Sequence, residues 1–161
     1  MWEQTQKLTG ERQEVAATER ARSYFSALGL QYGGYAAPQW EQIVTAEFWQ
    51  QRMDKRNDYI FRGTMRYRLM SVDVGGNAAT TEVCLDDTDV ERARTGTEDW
   101  KADPAGDYRV QASTYRRSAT SPTGWIAGGT ADTDLYSQDC KRAFAHKPEA
   151  AVVRPGPVDL S

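Results

Sequence analysis

The sequence predicts an α+β domain whose N-terminal helices pack in the concave side of a strongly bent antiparallel sheet. Three features carry that reading. Apolar residues recur at three- and four-residue spacing as far as Trp49, which is the period of a helix face. From Thr64 the period falls to two, that of a half-buried strand. Between two such runs, Val74-Gly75-Gly76-Asn77-Ala78 is a tight hairpin signal. Helices first and strands after them is the α+β order.

The elements follow in turn. Residues 1–10 are polar and expected to be flexible. Residues 11–141 are expected to form one domain, and residues 142–161, rich in Ala, Pro and Val, an extended or disordered tail. From Glu11 to Gly29, Ala17, Ala21, Tyr24, Phe25 and Leu28 mark the inward face of a first helix. Glu11, Arg12, Glu14, Glu19, Arg20 and Arg22 fall mostly opposite. Gly29 stops it, and Gln31 to Pro38 is a turn-rich linker. A second helix starts near Pro38, with Trp40, Ile43, Val44, Glu47 and Phe48 on one face.

Four strands are expected, at about 64–74, 78–86, 107–117 and 124–136. In the first, Met65, Tyr67 and Leu69 lie on one phase and Met70, Val72 and Val74 on the other. Such a slip is what a β-bulge produces, and bulges bend sheets. Gly128-Gly129 marks a bulge or a close backbone approach in the last strand. Asp86 to Asp107 is expected to be an acidic connection.

Composition excludes several classes. With 20 basic and 23 acidic residues spread along the chain, the net charge is −3 and no basic stripe appears. Nucleic acid is therefore not the expected partner. No segment approaches the roughly 18 apolar residues of a membrane span. The first residues lack a signal-peptide core, so either the chain is cytosolic or a targeting or anchoring segment has been removed, which is the only route to a membrane expected. Cys84 and Cys140 are the two cysteines. By composition alone they are either a disulfide or two free core thiols.

Helices followed by long hairpins resemble the cone-shaped nuclear transport factor 2-like superfamily. The local words Cys84-Leu85-Asp86-Asp87-Thr88, Tyr108 to Arg117, Gly124-Trp125 and Cys140 resemble a subgroup of small secreted or membrane-anchored actinobacterial domains of unknown function. The resemblance covers roughly residues 12–141. It implies a Cys84–Cys140 disulfide, an extracytoplasmic location and self-association through the sheet. A loop of that length stabilises by about 4 kcal/mol in the chain-entropy model. The usual apolar or lipobox N-terminal segment is absent, and 21 residues follow Cys140.

The superfamily's isomerases use a carboxylate base with tyrosine and protonated-acid oxyanion donors, and its dehydratases use histidine. The one histidine, His146, lies beyond the last expected strand, which argues against histidine acid–base chemistry. Tyr24, Trp40, Phe48, Tyr59 and Tyr67 are candidate pocket residues. The simpler reading makes the tyrosines core residues and Glu82 an outward strand residue. Asp86, Asp87 and Asp89 lack the spacing of a calcium loop, so no metal is expected. Cys84 has no activating neighbour in sequence, and the Gly pairs have no phosphate-loop motif, so no catalytic residue and no cofactor is expected. Arg66, Arg68, Arg109 and Arg116 are candidates for a basic strip that docks an acidic protein, or for cross-strand pairs with acids. The expected function is a non-enzymatic protein-interaction or accessory domain. The alternative is a small-ligand carrier or isomerase-like enzyme using the cone pocket.

Overall fold

Helix α1 (Gly10–Leu30) leads into α2 (Pro38–Glu41) and α3 (Ala46–Asp54). Strands β1 (Tyr59–Gly75), β2 (Ala78–Arg94), β3 (Lys101–Ala102), β4 (Tyr108–Arg117) and β5 (Trp125–Asp134) follow, then α4 (Gln138–His146) and β6 (Ala151–Val153). The computed structural model describes residues 8–30, 38–54, 59–94, 96–102, 108–134, 137–146 and 151–153. The expected linker at 31–37 and most of the expected flexible termini lie outside these. The sheet order is β5-β4-β2-β1-β6 with β3 beside β2, and every strand pairing is antiparallel. The fold is therefore α+β, as the sequence indicates. Among the described residues no helix is long and apolar enough to cross a membrane.

The β1–β2 hairpin closes on Gly76-Asn77, with Gly76 at φ 62°, the positive value a two-residue turn requires at its first position. The phase slip read in the first strand is a register shift between Leu69 and Ser71, with Met70 as the extra residue. A second shift lies between Thr64 and Arg66. Opposite Thr114 and Tyr115, the register passes from Gly129 to Ala127, leaving Gly128 as the bulged residue. Both hairpin strands run longer than expected. β2 continues to Arg94 through the run read as an acidic connection: β1 pairs with it throughout, Val90 and Ala93 are buried, and Asp89 and Glu91 pair with Arg66 and Arg62 of β1.

The sheet is covered on both faces. On one, Val15, Ala16, Trp40, Ile43 and Val44 from the helical half meet Tyr67, Leu69, Val83, Leu85, Tyr115 and Trp125. On the other, Cys84, Val110 and Cys140 form a smaller cluster with Met70, Tyr108 and Phe144. Alternation explains the division: Val83 and Leu85 point one way and Cys84 the other. α4 carries the second cluster, so helices do not pack on one side only. Residues 142–146, expected within an extended or disordered tail, are the second half of α4. Ser137 caps this helix by accepting from Cys140 N (3.1 Å) and hangs it from β4 through Ser137 N to Tyr108 O (2.8 Å).

Two helical expectations change. The buried face of α1 is Val15, Ala16, Thr18, Glu19 and Arg22; Ala17 and Tyr24 are exposed, Tyr24 by 44%. Hydropathy turned the helix outward-in at Glu19 and Arg22, because it counts each charge alone and these two cancel. Thr18 is satisfied by Glu14 O (2.9 Å) and Thr123 Oγ1 (2.5 Å). The second helix is broken between α2 and α3. There Val44 bridges the edge of β5: Thr45 N donates to Ala127 O and Ala127 N to Ile43 O, both at 2.8 Å. Thr45 then caps α3, its Oγ1 accepting from Phe48 N (3.1 Å).

Candidate functional site

Between α1, α2–α3 and the sheet lies a cavity of about 170 Å³. One wall is apolar: Trp40, Phe48, Met65 and Leu85. The other is polar: Arg22, Ser23, Ser26, Arg109, Gln111 and Thr130. α2 and α3 bring Trp40 and Phe48 edge to face, with ring centroids 4.8 Å apart, and Trp49 lies 5.9 Å from Trp40. Trp40 is 1% exposed. Its indole N–H has no acceptor among the described residues.

A continuous polar network backs the other wall. Arg22 donates from Nη2 to Glu19 Oε1 (2.7 Å) and from Nε to Glu19 Oε2 (3.2 Å), both side chains being almost fully buried. Arg22 Nη2 also reaches Gln111 Oε1 (3.1 Å). Gln111 Nε2 donates to Asp132 Oδ1 (3.4 Å), and Arg109 pairs with Asp87 (3.0 Å) and Asp132 (3.6 Å). Two guanidiniums thus face three carboxylates, and each cation at the cavity has an acid behind it. Buried Tyr67 sits against this network. Desolvation pushes its phenol well above the ordinary range, the Glu19 charge adds to this, and Arg20 and Arg22 oppose it, so the hydroxyl stays neutral at physiological pH.

Of the five candidate pocket residues, Trp40 and Phe48 line the cavity and Tyr67 lies by the network behind it. Tyr24 is outside, edge to face with Phe25 at 5.4 Å. Tyr59 lines a different cleft. The four arginines do not form one strip. Arg109, paired with Leu85 across the strands, lies on the main helical face. Arg68, paired with Cys84, lies on the opposite face, 2% exposed and 6.0 Å from the ring of Phe144. Arg66 on that side is exposed and pairs with Asp86 (3.2 Å) and Asp89 (3.4 Å). Arg116 is exposed near the hairpin turn. Asp86 also accepts from Thr88 N (3.0 Å) and Oγ1 (2.6 Å), closing a local turn. Asp86 and Asp87 point to opposite faces, so the acidic triplet does not converge. Among the described residues no group of three metal-ligating side chains exists.

Cys84 and Cys140 are joined by a disulfide, with Cα atoms 5.5 Å apart. His146 closes α4, and its side chain lies outside the described residues. Glu19 and Arg22, expected on the outward side of the first helix, and Gln111 are the functional-site residues that periodicity does not reveal. The available signal was the Glu-x-x-Arg spacing beside Val15 and Ala16, which puts an internal ion pair on an apolar flank. No protein-family model matches the chain, and no curated protein or solved structure does.

Proposed function

We propose that the chain is an exported, non-enzymatic interaction domain of the cone-shaped, nuclear transport factor 2-like kind. The carrying observation is the state of its interior. Trp40 and Phe48, packed edge to face, take up the apolar wall of the cavity, and the buried carboxylate behind its polar wall, Glu19, is bound up with Arg22. The cavity that remains, about 170 Å³, is below the roughly 300–1,000 Å³ of ordinary ligand sites. Both Glu19 oxygens accept from the Arg22 guanidinium, which leaves that carboxylate poorly placed to take a proton from a ligand. The disulfide supports an oxidising address, such as secretion or anchoring outside the cytosol.

The docking surface of this reading is the sheet face that α4 leaves open. Thr80 pairs with Thr114 and Ala112 with Ala131, side chains short enough for another sheet to approach closely, with the charged Glu82 beside them opposite Ala112. A second copy of the chain is the partner this reading favours. The second reading, a small-ligand carrier or isomerase-like enzyme, is favoured by the buried Trp40 N–H aimed at no described acceptor beside the cavity.

One pair of measurements separates them. Sedimentation velocity is expected to show a concentration-dependent dimer that Thr114→Arg dissociates. Titration with naphthol, a mimic of a dienolate, is expected to leave tryptophan emission unchanged. A monomer at all concentrations, together with saturable naphthol quenching lost in Leu85→Trp, overturns the interaction reading in favour of the pocket.

A further inference from the structure

At the end of the sheet away from the β1–β2 turn lies a cleft of about 380 Å³, lined by Tyr59, Arg92, Ala93, Arg94, Thr97, Asp99, Lys101 and Ala102. Strand register builds it. Tyr59 pairs with Arg94, Arg92 pairs with Lys101, and Arg92 and Arg94 alternate onto the same face. The turn after β2 is fixed where Thr97 donates from N (3.0 Å) and Oγ1 (2.8 Å) to Arg94 O. Among the described residues the lining therefore holds three cations against one carboxylate, in a chain whose net charge is −3.

The one acid is occupied, since Asp99 pairs with Lys101 at 3.3 Å. Arg92 and Arg94 pair with no carboxylate among the described residues. They gather instead on Tyr59, with guanidinium carbons 4.3 and 5.9 Å from the ring centre. Stacking uses the flat face of a guanidinium and leaves its in-plane N–H donors facing outward. It also restricts the side chain, so less freedom is lost when a ligand is gripped. The Arg92 fork, stacked on Tyr59, with Arg94 beside it and a lysine across the strand, suits the planar, multi-oxygen geometry of phosphoryl groups. The volume exceeds what a lone anion needs and falls within the small-ligand range.

We infer that this cleft binds a phosphorylated molecule through Arg92, Arg94 and Lys101. The inference does not rest on the interior cavity or on the reading of the chain as an interaction domain. Its test is calorimetric titration of the full chain with inorganic pyrophosphate at low and physiological salt. Saturable binding is expected, weaker at higher salt because the site is open to solvent. Arg92→Gln/Arg94→Gln is expected to weaken it at least about tenfold, and Lys101→Gln by a smaller factor. Arg92→Lys keeps the charge but loses the fork and is expected to fall between. All variants should melt with wild type; Lys101, far out in solvent, keeps the test valid should the arginine variants fold poorly. Arg116→Gln, an exposed arginine elsewhere, is expected to change nothing. Absence of saturable binding, or equal weakening by Arg116→Gln, overturns the site. Sedimentation with phosphatidylcholine vesicles, with and without phosphatidylglycerol, sorts the source. Co-sedimentation lost in the double variant assigns a lipid headgroup, and pyrophosphate binding without it assigns a soluble phosphate.

Discussion

Glu19 and Arg22 are one turn apart on the buried side of α1, and neither would tolerate that position without the other. A bidentate pair at 2.7 and 3.2 Å, with Ser23 and Gln111 taking part, offsets the loss of hydration that burial imposes on both. Removing one partner strands the other. Glu19→Gln is expected to cost about 3 kcal/mol in urea denaturation, whereas Glu19→Leu with Arg22→Met recovers most of that loss. A single-variant cost below about 1 kcal/mol would mean that the pair behaves like a solvated one. This pair also explains why the inward face of α1 was misjudged from sequence. Periodicity sums hydropathy residue by residue, and an internally cancelled ion pair is invisible to it. Tyr24, apolar enough to be placed inside, is instead left at the rim.

At the scale of elements, β1 shows how far local pattern reaches. The slip between the Leu69 and Met70 phases was readable because a bulge reverses which side of a strand is apolar. The break between α2 and α3 was not. Trp40, Val44 and Phe48 keep helical spacing, but Val44 is claimed by the edge of β5, a partner distant in sequence. α4 had a legible signal in Cys140, Ala143 and Phe144, at i, i+3 and i+4, which the proline-rich sequence after it obscured. The carboxylates of β2 read as a loop because their arginine partners lie on other strands. Of the described glycines in the hairpin, Gly63 is the one whose Cβ would meet backbone. Its φ is 108°, and a Cβ there would lie 2.1 Å from the Asp89 carbonyl oxygen. Gly63→Ala is expected to destabilise by about 2 kcal/mol or more. Gly129→Ala, where a Cβ meets nothing within 4 Å, is expected to shift stability by under about 0.5 kcal/mol. Equal melting temperatures for the two variants would refute the assignment.

Across the whole molecule the sheet divides two cores of unequal size, and the smaller one is bolted. The larger core contains two tryptophans and the network behind the cavity, while the smaller is centred on the disulfide. The cluster beneath α4 is too small to hold a nine-residue helix strongly by burial alone. Cys84→Ala with Cys140→Ala is expected to lower stability by up to about 4 kcal/mol, with α4 the first element to lose amide protection in hydrogen exchange. An unchanged melting curve would count against the staple. Mass spectrometry of the native, non-reduced chain is expected to find no free thiol. Fold class and the cysteine pairing were thus within reach of the sequence, the latter through resemblance. The interior network and the cleft at Tyr59 were not, since both are made by strand register.

The disulfide has a mechanical side as well. It closes residues 84 to 140 into a covalent ring, with a separation of 56 positions, that contains the second half of β2, β3, β4, β5 and the first residues of α4. The N-terminal helices with β1 and the start of β2, and the rest of α4 with β6, leave the ring as two arms. Tension applied to the two arms has a covalent path from Cys84 to Cys140 through the sulfur atoms that bypasses the backbone inside the ring. A single backbone cut inside the ring likewise leaves one connected molecule.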